Sequence, residues 1–208
     1  MATQTIASTP AKRKTARDAK ADAVARAKAI APTLAVRIGS TPATKYRGNP
    51  GVFGRLIEDH DRHRALLAMI EETEGKSADR KALFKELVHE VTAHAAAEEQ
   101  ALWSTVLRNP DTTDFARHAI AEHKELDDMI ADLAARDMAL SGWLRRFSGM
   151  KEEYLHHIRE EEQEQFVAAE KVLNPTDIRY MRRVFNQRKT AEKTDAKVKK
   201  KLKIKKDN

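Results

Sequence analysis

Between residues 50 and 175, apolar side chains return every third or fourth position, and turn signals cut that stretch into four segments. The first follows Asn49-Pro50-Gly51 and is predicted to run from about Phe53 to Glu72, ahead of Gly75. Ser77 can cap the second, which is predicted to continue to about Arg108 before Asn109-Pro110. The third is predicted from about Thr113 to Leu140, and the fourth from Ser141-Gly142 to Leu173. Spacings of three and four residues put side chains on one face of an α-helix. Four long helices with short links predict an all-α fold, an up-down-up-down four-helix bundle. Asn174-Pro175 then reads as the N-cap and first position of a short extra helix.

The apolar seams of these helices carry polar interruptions at matching heights. The first seam holds Leu56, His60 and Leu67, and the third holds His123, Leu126 and Ile130. The second runs Leu87, Val91, His94, Glu98, Leu102, and the fourth runs Met150, Tyr154, His157, Glu161. Two inward carboxylates are costly unless something balances them. The offset that carries His60 onto His123 also carries His94 onto His157 and Glu98 onto Glu161. The same shift takes Glu99 to Glu162, Gln100 to Gln163, Phe84 to Phe147 and Trp103 to Phe166, without a gap. The chain thus reads as two helical hairpins in tandem. Each offers one histidine from its first helix and His-x3-Glu from its second.

Composition narrows the chemistry. The 208 residues suffice for one domain with extensions, and 41% hydrophobic and 34% charged residues with only 7 glycines favour helices. The absence of cysteine excludes disulfides, iron–sulfur clusters and thiolate zinc sites. Charge is uneven: residues 1–50 carry +8, residues 51–170 carry −11 and residues 171–208 carry +10. The expected organisation is a flexible basic extension over 1–50, the bundle over 51–173, and a short helix with a flexible Lys-rich tail over 174–208. The final KVKKKLKIKK is a candidate for contact with nucleic-acid phosphates or an acidic partner. No apolar run approaches the roughly 20 residues needed to span a bilayer, and no signal-peptide core opens the chain, so a cytoplasmic location is expected.

A histidine and a glutamate four residues apart share a helix face and can serve one small cluster. Imidazole suits iron, copper, nickel and zinc, and a carboxylate can bridge two cations about 3.5–4 Å apart. Four terminal imidazoles and two bridging carboxylates leave room around two metals for a shared oxygen group and an exogenous ligand. Mixed nitrogen and oxygen ligation with open positions favours iron, although zinc and manganese accept the same donors.

The segments EDH at 58–60, HAAAEE at 94–99, AEH at 121–123 and HHIREEE at 156–162 resemble those of hemerythrin-like proteins, the HHE cation-binding domains. The resemblance spans roughly residues 52–173. It implies a bundle around two iron ions, a non-haem di-iron centre that binds or senses dioxygen, peroxide or nitric oxide. Metal ligands would then be His60, His94, Glu98, His123, His157 and Glu161. Oxygen-carrying members have a fifth histidine where this chain has Asp127, which favours sensing or redox turnover over reversible transport. The family's proline after the aromatic is replaced by Ser104 and Val167, a change expected at the helix ends only.

Three other functions compete with a di-iron binding or sensing protein: a peroxide-consuming di-iron enzyme, ferritin-like iron oxidation, and nucleic-acid association through the tails. The ferritin-like reading would use Glu86 with His89 and Glu153 with His156. Its motifs break the repeat, since the shift that relates the two halves carries Glu86 onto Gly149. Among lesser candidates, His63 is expected to be partly exposed at the seam edge, with lining the ligand pocket or supplying a fifth nitrogen as the alternative. Tyr154 is expected to point inward. His89, His118 and His156, with Glu99 and Glu162, are expected to face solvent. Glu90 and Glu153 are candidate acceptors behind the paired histidines.

Overall fold

The structure, a computed structural model, describes residues 16–38, 44–75 and 77–206, with the side chains of 16–22, 32, 36, 38, 193 and 195–206 outside the description. The bundle is formed by α2 (Val52–Glu71), α3 (Ala78–Glu98), α5 (Thr113–Ala135) and α6 (Ser141–Glu160). Ser77 caps α3 as expected, its hydroxyl accepting from the Arg80 amide at 2.9 Å. Beyond α3 the chain passes through a π-helical turn (Glu99–Trp103) into a last turn, α4 (Ser104–Val106). Beyond α6 it does the same through Glu161–Gln165 into α7 (Phe166–Val172). The third helix is shorter than predicted, because Arg136 is extended and the chain turns over 137–140.

Each π-helical turn starts within a residue of the inward glutamate in its half. Such a turn takes an extra residue, and π-turns gather at functional sites. Here it returns Trp103 and Phe166 to the interior five residues after Glu98 and Glu161, where both rings are fully buried. In an unbroken α-helix that spacing would carry the aromatic off the seam.

The core consists of two apolar clusters with a polar layer between them. One is built on Leu67, Phe84, Leu87, Leu133, Trp143 and Phe147, and the other on Tyr46, Phe53, Leu56, Trp103, Phe166 and Phe185. On three bundle helices the chain crosses from one cluster to the other at a histidine, His60, His94 or His123, and on the fourth it leaves the first cluster just after His157. Trp143 stacks on Phe147 at 5.3 Å and donates its indole N–H to the Leu133 carbonyl at 3.0 Å, locking α5 to α6 at the first cluster. Gly54 lets the Tyr46–Asn49 turn lie on α2, since a Cβ there would stand 1.8 Å from the Asn49 oxygen.

Two further helices flank α2 and α3. Within the expected flexible N-terminal extension, residues 16–38 form α1 (Ala16–Ile38), whose Ala23, Ala27, Ala31 and Ala35 are buried. Small side chains every fourth residue permit close helix approach. The C-terminal helix is long, not short: α8 runs from Pro175 to Lys206 and takes in most of the tail expected to be flexible. Met181 and Phe185 of α8 belong to the second cluster. Residues 1–15, and the Lys-rich side chains on which a nucleic-acid contact would depend, lie outside the described part. No helix among the described residues is long and apolar enough to cross a membrane.

Candidate metal centre

The polar layer brings all six sequence-predicted residues together. The ring nitrogens Nε2 of His60 and His94 approach to 3.1 Å, and His94 Nε2 lies 3.3 Å from Glu98 Oε2. Glu161 stands between the halves, with Oε2 at 3.3 Å from His60 Nε2 and Oε1 at 3.4 Å from His157 Nε2. His123 Nε2 is 3.7 Å from Glu98 and 4.0 Å from Glu161. Two groups of potential ligand atoms result, His60-His94-Glu98-Glu161 and His123-His157-Glu161, each within 4.8 Å and able to hold a metal ion. All of these side chains are buried.

A second ring of carboxylates holds the imidazoles from behind. His60 Nδ1 meets Glu162 at 2.9 Å, and His123 Nδ1 meets Glu99 at 2.9 Å. His94 Nδ1 meets Asp59 at 3.3 Å, and His157 Nδ1 meets Glu122 at 2.8 Å. Each contact in one half has its repeat-related counterpart in the other, so the arrangement is two-fold in its outer ring as well. A carboxylate on Nδ1 keeps the proton there and leaves the Nε2 lone pair facing inward.

This outer ring corrects several expectations. Glu162 is buried, not solvated, and Glu99, with its side chain 42% exposed, is nonetheless bound to His123. The candidate acceptors fail: Glu90 is buried against Lys189 and Lys28, and Glu153 is exposed. Asp59 and Glu122, which fill the outer positions behind His94 and His157, went unrecognised. Their signal was the acidic residue directly before the first histidine of each half, in EDH and AEH. His63 is fully buried instead of partly exposed. The Tyr154 hydroxyl lies 2.7 Å from its Nδ1, so this inward tyrosine is engaged with a histidine. His118 and His156 are exposed as expected, whereas His89 is half-buried; neither ferritin-type pair joins the centre.

Electrostatics follow from burial. The His60 and His157 imidazoles are held below their ordinary range because burial penalises the cation, His157 down to about 4. Burial pushes the Glu161 carboxyl well up, and the nearby Glu98 charge adds to this. For Glu98 burial acts in the same upward direction, but the surrounding His94, His123 and His60 outweigh it and hold the group at about 2. Two carboxylates this close cannot easily share the layer without a cation.

The residues fit a metal on that ground. Both oxygens of Glu98, both oxygens of Glu161 and Nε2 of His123 are buried without a hydrogen bond among the described residues. Buried polar atoms are nearly always partnered, and five orphans aimed at one layer match the demand of a cation.

The two halves differ in how they are closed. Behind His60, Glu162 is anchored by the buried Arg64 at 2.8 Å. Behind His94, Asp59 is bonded by Lys189 of α8 and by Arg62, and the Phe185 ring of α8 meets the His94 ring edge-on at 6.0 Å. The His123–His157 half has no such anchors on Glu99 or Glu122 among the described contacts. A narrow cavity lined by Val91, His123, Leu126, Asp127, Tyr154 and His157 adjoins it.

Lys189 shows that α8 is part of the site's support. Replacing Lys189 with methionine removes a buried cation from Asp59 and from Glu90, so the expected loss is about 2 kcal/mol of stability. Thermal unfolding of the Lys189→Met protein measures it, and an unchanged midpoint would mean that the buried lysine does not stabilise this contact.

Comparison with known proteins agrees with this architecture. Searches of curated proteins and of solved structures gave no match. The family model of the Hemerythrin HHE cation binding domain matches residues 52–169, a span that opens on α2, closes within α7 and contains the whole polar layer. By that match the chain belongs to the hemerythrin HHE cation-binding domain family.

Proposed function

We propose that the polar layer holds two iron ions and that the protein binds or senses dioxygen or a related small ligand such as peroxide or nitric oxide. His60, His94, His123, His157, Glu98 and Glu161 would hold the two metals, the imidazoles through Nε2 and the glutamates through their carboxylates. The observation that carries this reading is the two-fold ring of carboxylates on the four Nδ1 atoms, which presents four Nε2 lone pairs to two buried carboxylates. Iron in such a donor set supplies reversible binding of small oxygen and nitrogen ligands and one-electron chemistry. The chain's own contribution is to fix imidazole orientation, exclude bulk water and leave a small-molecule approach beside Asp127 and His123. Asp127, whose carboxyl is raised by burial, stands on that approach where oxygen carriers have a nitrogen ligand, which favours sensing or turnover over simple carriage.

Metal analysis of protein purified in air, with its visible spectrum, tests the proposal. About two irons per chain are expected, with near-ultraviolet charge-transfer bands that shift when azide or peroxide is added. A single zinc, or a spectrum indifferent to azide, would overturn it. Catalytic loss of added peroxide by the iron-loaded protein would identify an enzyme instead of a sensor.

A further inference from the structure

Outside the buried layer, α5 and α6 carry two more His-x3-Glu pairs, His118 with Glu122 and His156 with Glu160. They face each other across the groove between the helices. His118 Nε2 lies 3.4 Å from Glu122 Oε1 and 3.3 Å from Glu160 Oε2. These ligand atoms all fall within 4.8 Å of one another. The second oxygen of Glu160 lies 3.2 Å from His156 Nε2.

The spacing is that of a cation site. Bonds of about 2.0–2.1 Å in a tetrahedral arrangement put neighbouring ligand atoms roughly 3.3–3.4 Å apart. The two distances from His118, to Glu122 and to Glu160, match edges of such a site. The groups are also reachable, the His118 and His156 side chains being 54% and 55% exposed. As plain surface ion pairs they would contribute little.

Their position relative to the buried layer gives the cluster a role. Glu122 has one oxygen 3.4 Å from His118 Nε2 and accepts on the other from Nδ1 of the buried His157, at 2.8 Å. A cation on Glu122 Oε1 is therefore one carboxylate away from an inner ligand. The opposite half offers no comparable opening, because Arg64 and Lys189 anchor its outer carboxylates. The acidic body of the bundle, with −11 over residues 51–170, draws divalent cations toward the bundle.

We propose that His118, Glu122 and Glu160, backed by His156, form a second, surface site for a divalent transition-metal cation, through which the buried centre is loaded. The loading role rests on the buried layer being a metal centre; the surface site itself does not.

The full chain, stripped of metal with a chelator, tests this when titrated with zinc and, separately, loaded with ferrous iron under anaerobic conditions. Zinc should occupy about one equivalent beyond the inner sites, and His118→Ala should lose that equivalent. The same variant should fill the inner centre about ten-fold more slowly and reach the same final spectrum. His118 is exposed, so its loss leaves the fold intact. His89→Ala, a histidine outside every cluster, should bind and load as the unaltered chain does. Equal stoichiometry or equal loading rates in His118→Ala would overturn the proposal. If only the outer equivalent binds and His118→Ala abolishes it, the surface site stands, the loading role is overturned, and the di-iron reading fails with it.

Discussion

Replacing Glu161 with glutamine is expected to strip the protein of its metal and, in the metal-free state, to make it more stable. Glu161 faces His60 through one oxygen and His157 through the other, so it belongs to both groups of candidate ligands. Its loss should lower metal content at least ten-fold, within the range that supporting and bridging ligands command. Without metal, the same carboxyl is a liability. Burial and the Glu98 charge push its proton affinity well up, and neither oxygen has a hydrogen bond. A neutral side chain of equal size removes that penalty, by about 1–3 kcal/mol judged from neutral replacements of buried ionic groups. For a chain of this length, that raises the unfolding midpoint of the apo protein by several degrees. Glu164→Gln, at an exposed position in the same π-helical turn, should change neither quantity. A Glu161→Gln protein that keeps its metal, or whose apo form melts earlier, would contradict this account of the layer.

Acid should act on the centre twice. Protons compete with metal for the inward imidazole nitrogens, so metal bound at neutral pH should be released as the pH approaches about 4. The apo fold should weaken over the same interval. Burial lowers His157 from 6.5 to about 4. Between those values the unfolded chain binds a proton that the folded chain refuses, so stability rises with pH through the window and falls as pH falls. The full effect of His157 is about 3 kcal/mol, lost by the time the pH reaches about 4. His60, lowered by burial in the same way, acts in the same direction. Glu98 and Glu162, both held at about 2 against an ordinary 4.5, extend the loss to lower pH. Denaturant unfolding of the apo protein at pH 7, 5.5 and 4 measures the slope, and His157→Gln should flatten it. A profile without slope across that range would show that His157 is not held neutral by burial.

Legibility in the sequence followed the range of the interactions. The helices and their core faces were readable because periodicity is a local property, and Ser77 capped where its position required. The six inner residues were readable because an ungapped repeat places each of them twice, once in either half. The outer carboxylates were half readable. Glu99 and Glu162 stand in the repeat, but the residue after an inward glutamate faces sideways on a regular helix, toward solvent. Each instead reaches the first histidine of the other half, which is a cross-bundle contact.

What the sequence by itself determined is the two-fold inner donor set and the bundle that carries it, because both rest on spacing within single helices. The tertiary structure decided the rest. It placed a π-helical turn next to each inward glutamate, which no local propensity announces. It buried His63 against Tyr154, 91 residues away, and drew Lys189 onto Asp59 across 130 residues. Through Lys189 and Arg64 it closed one half of a symmetric sequence and left the other half open. That asymmetry comes from α8 and from packing between helices, contacts that a repeated pattern of side chains along the chain does not encode.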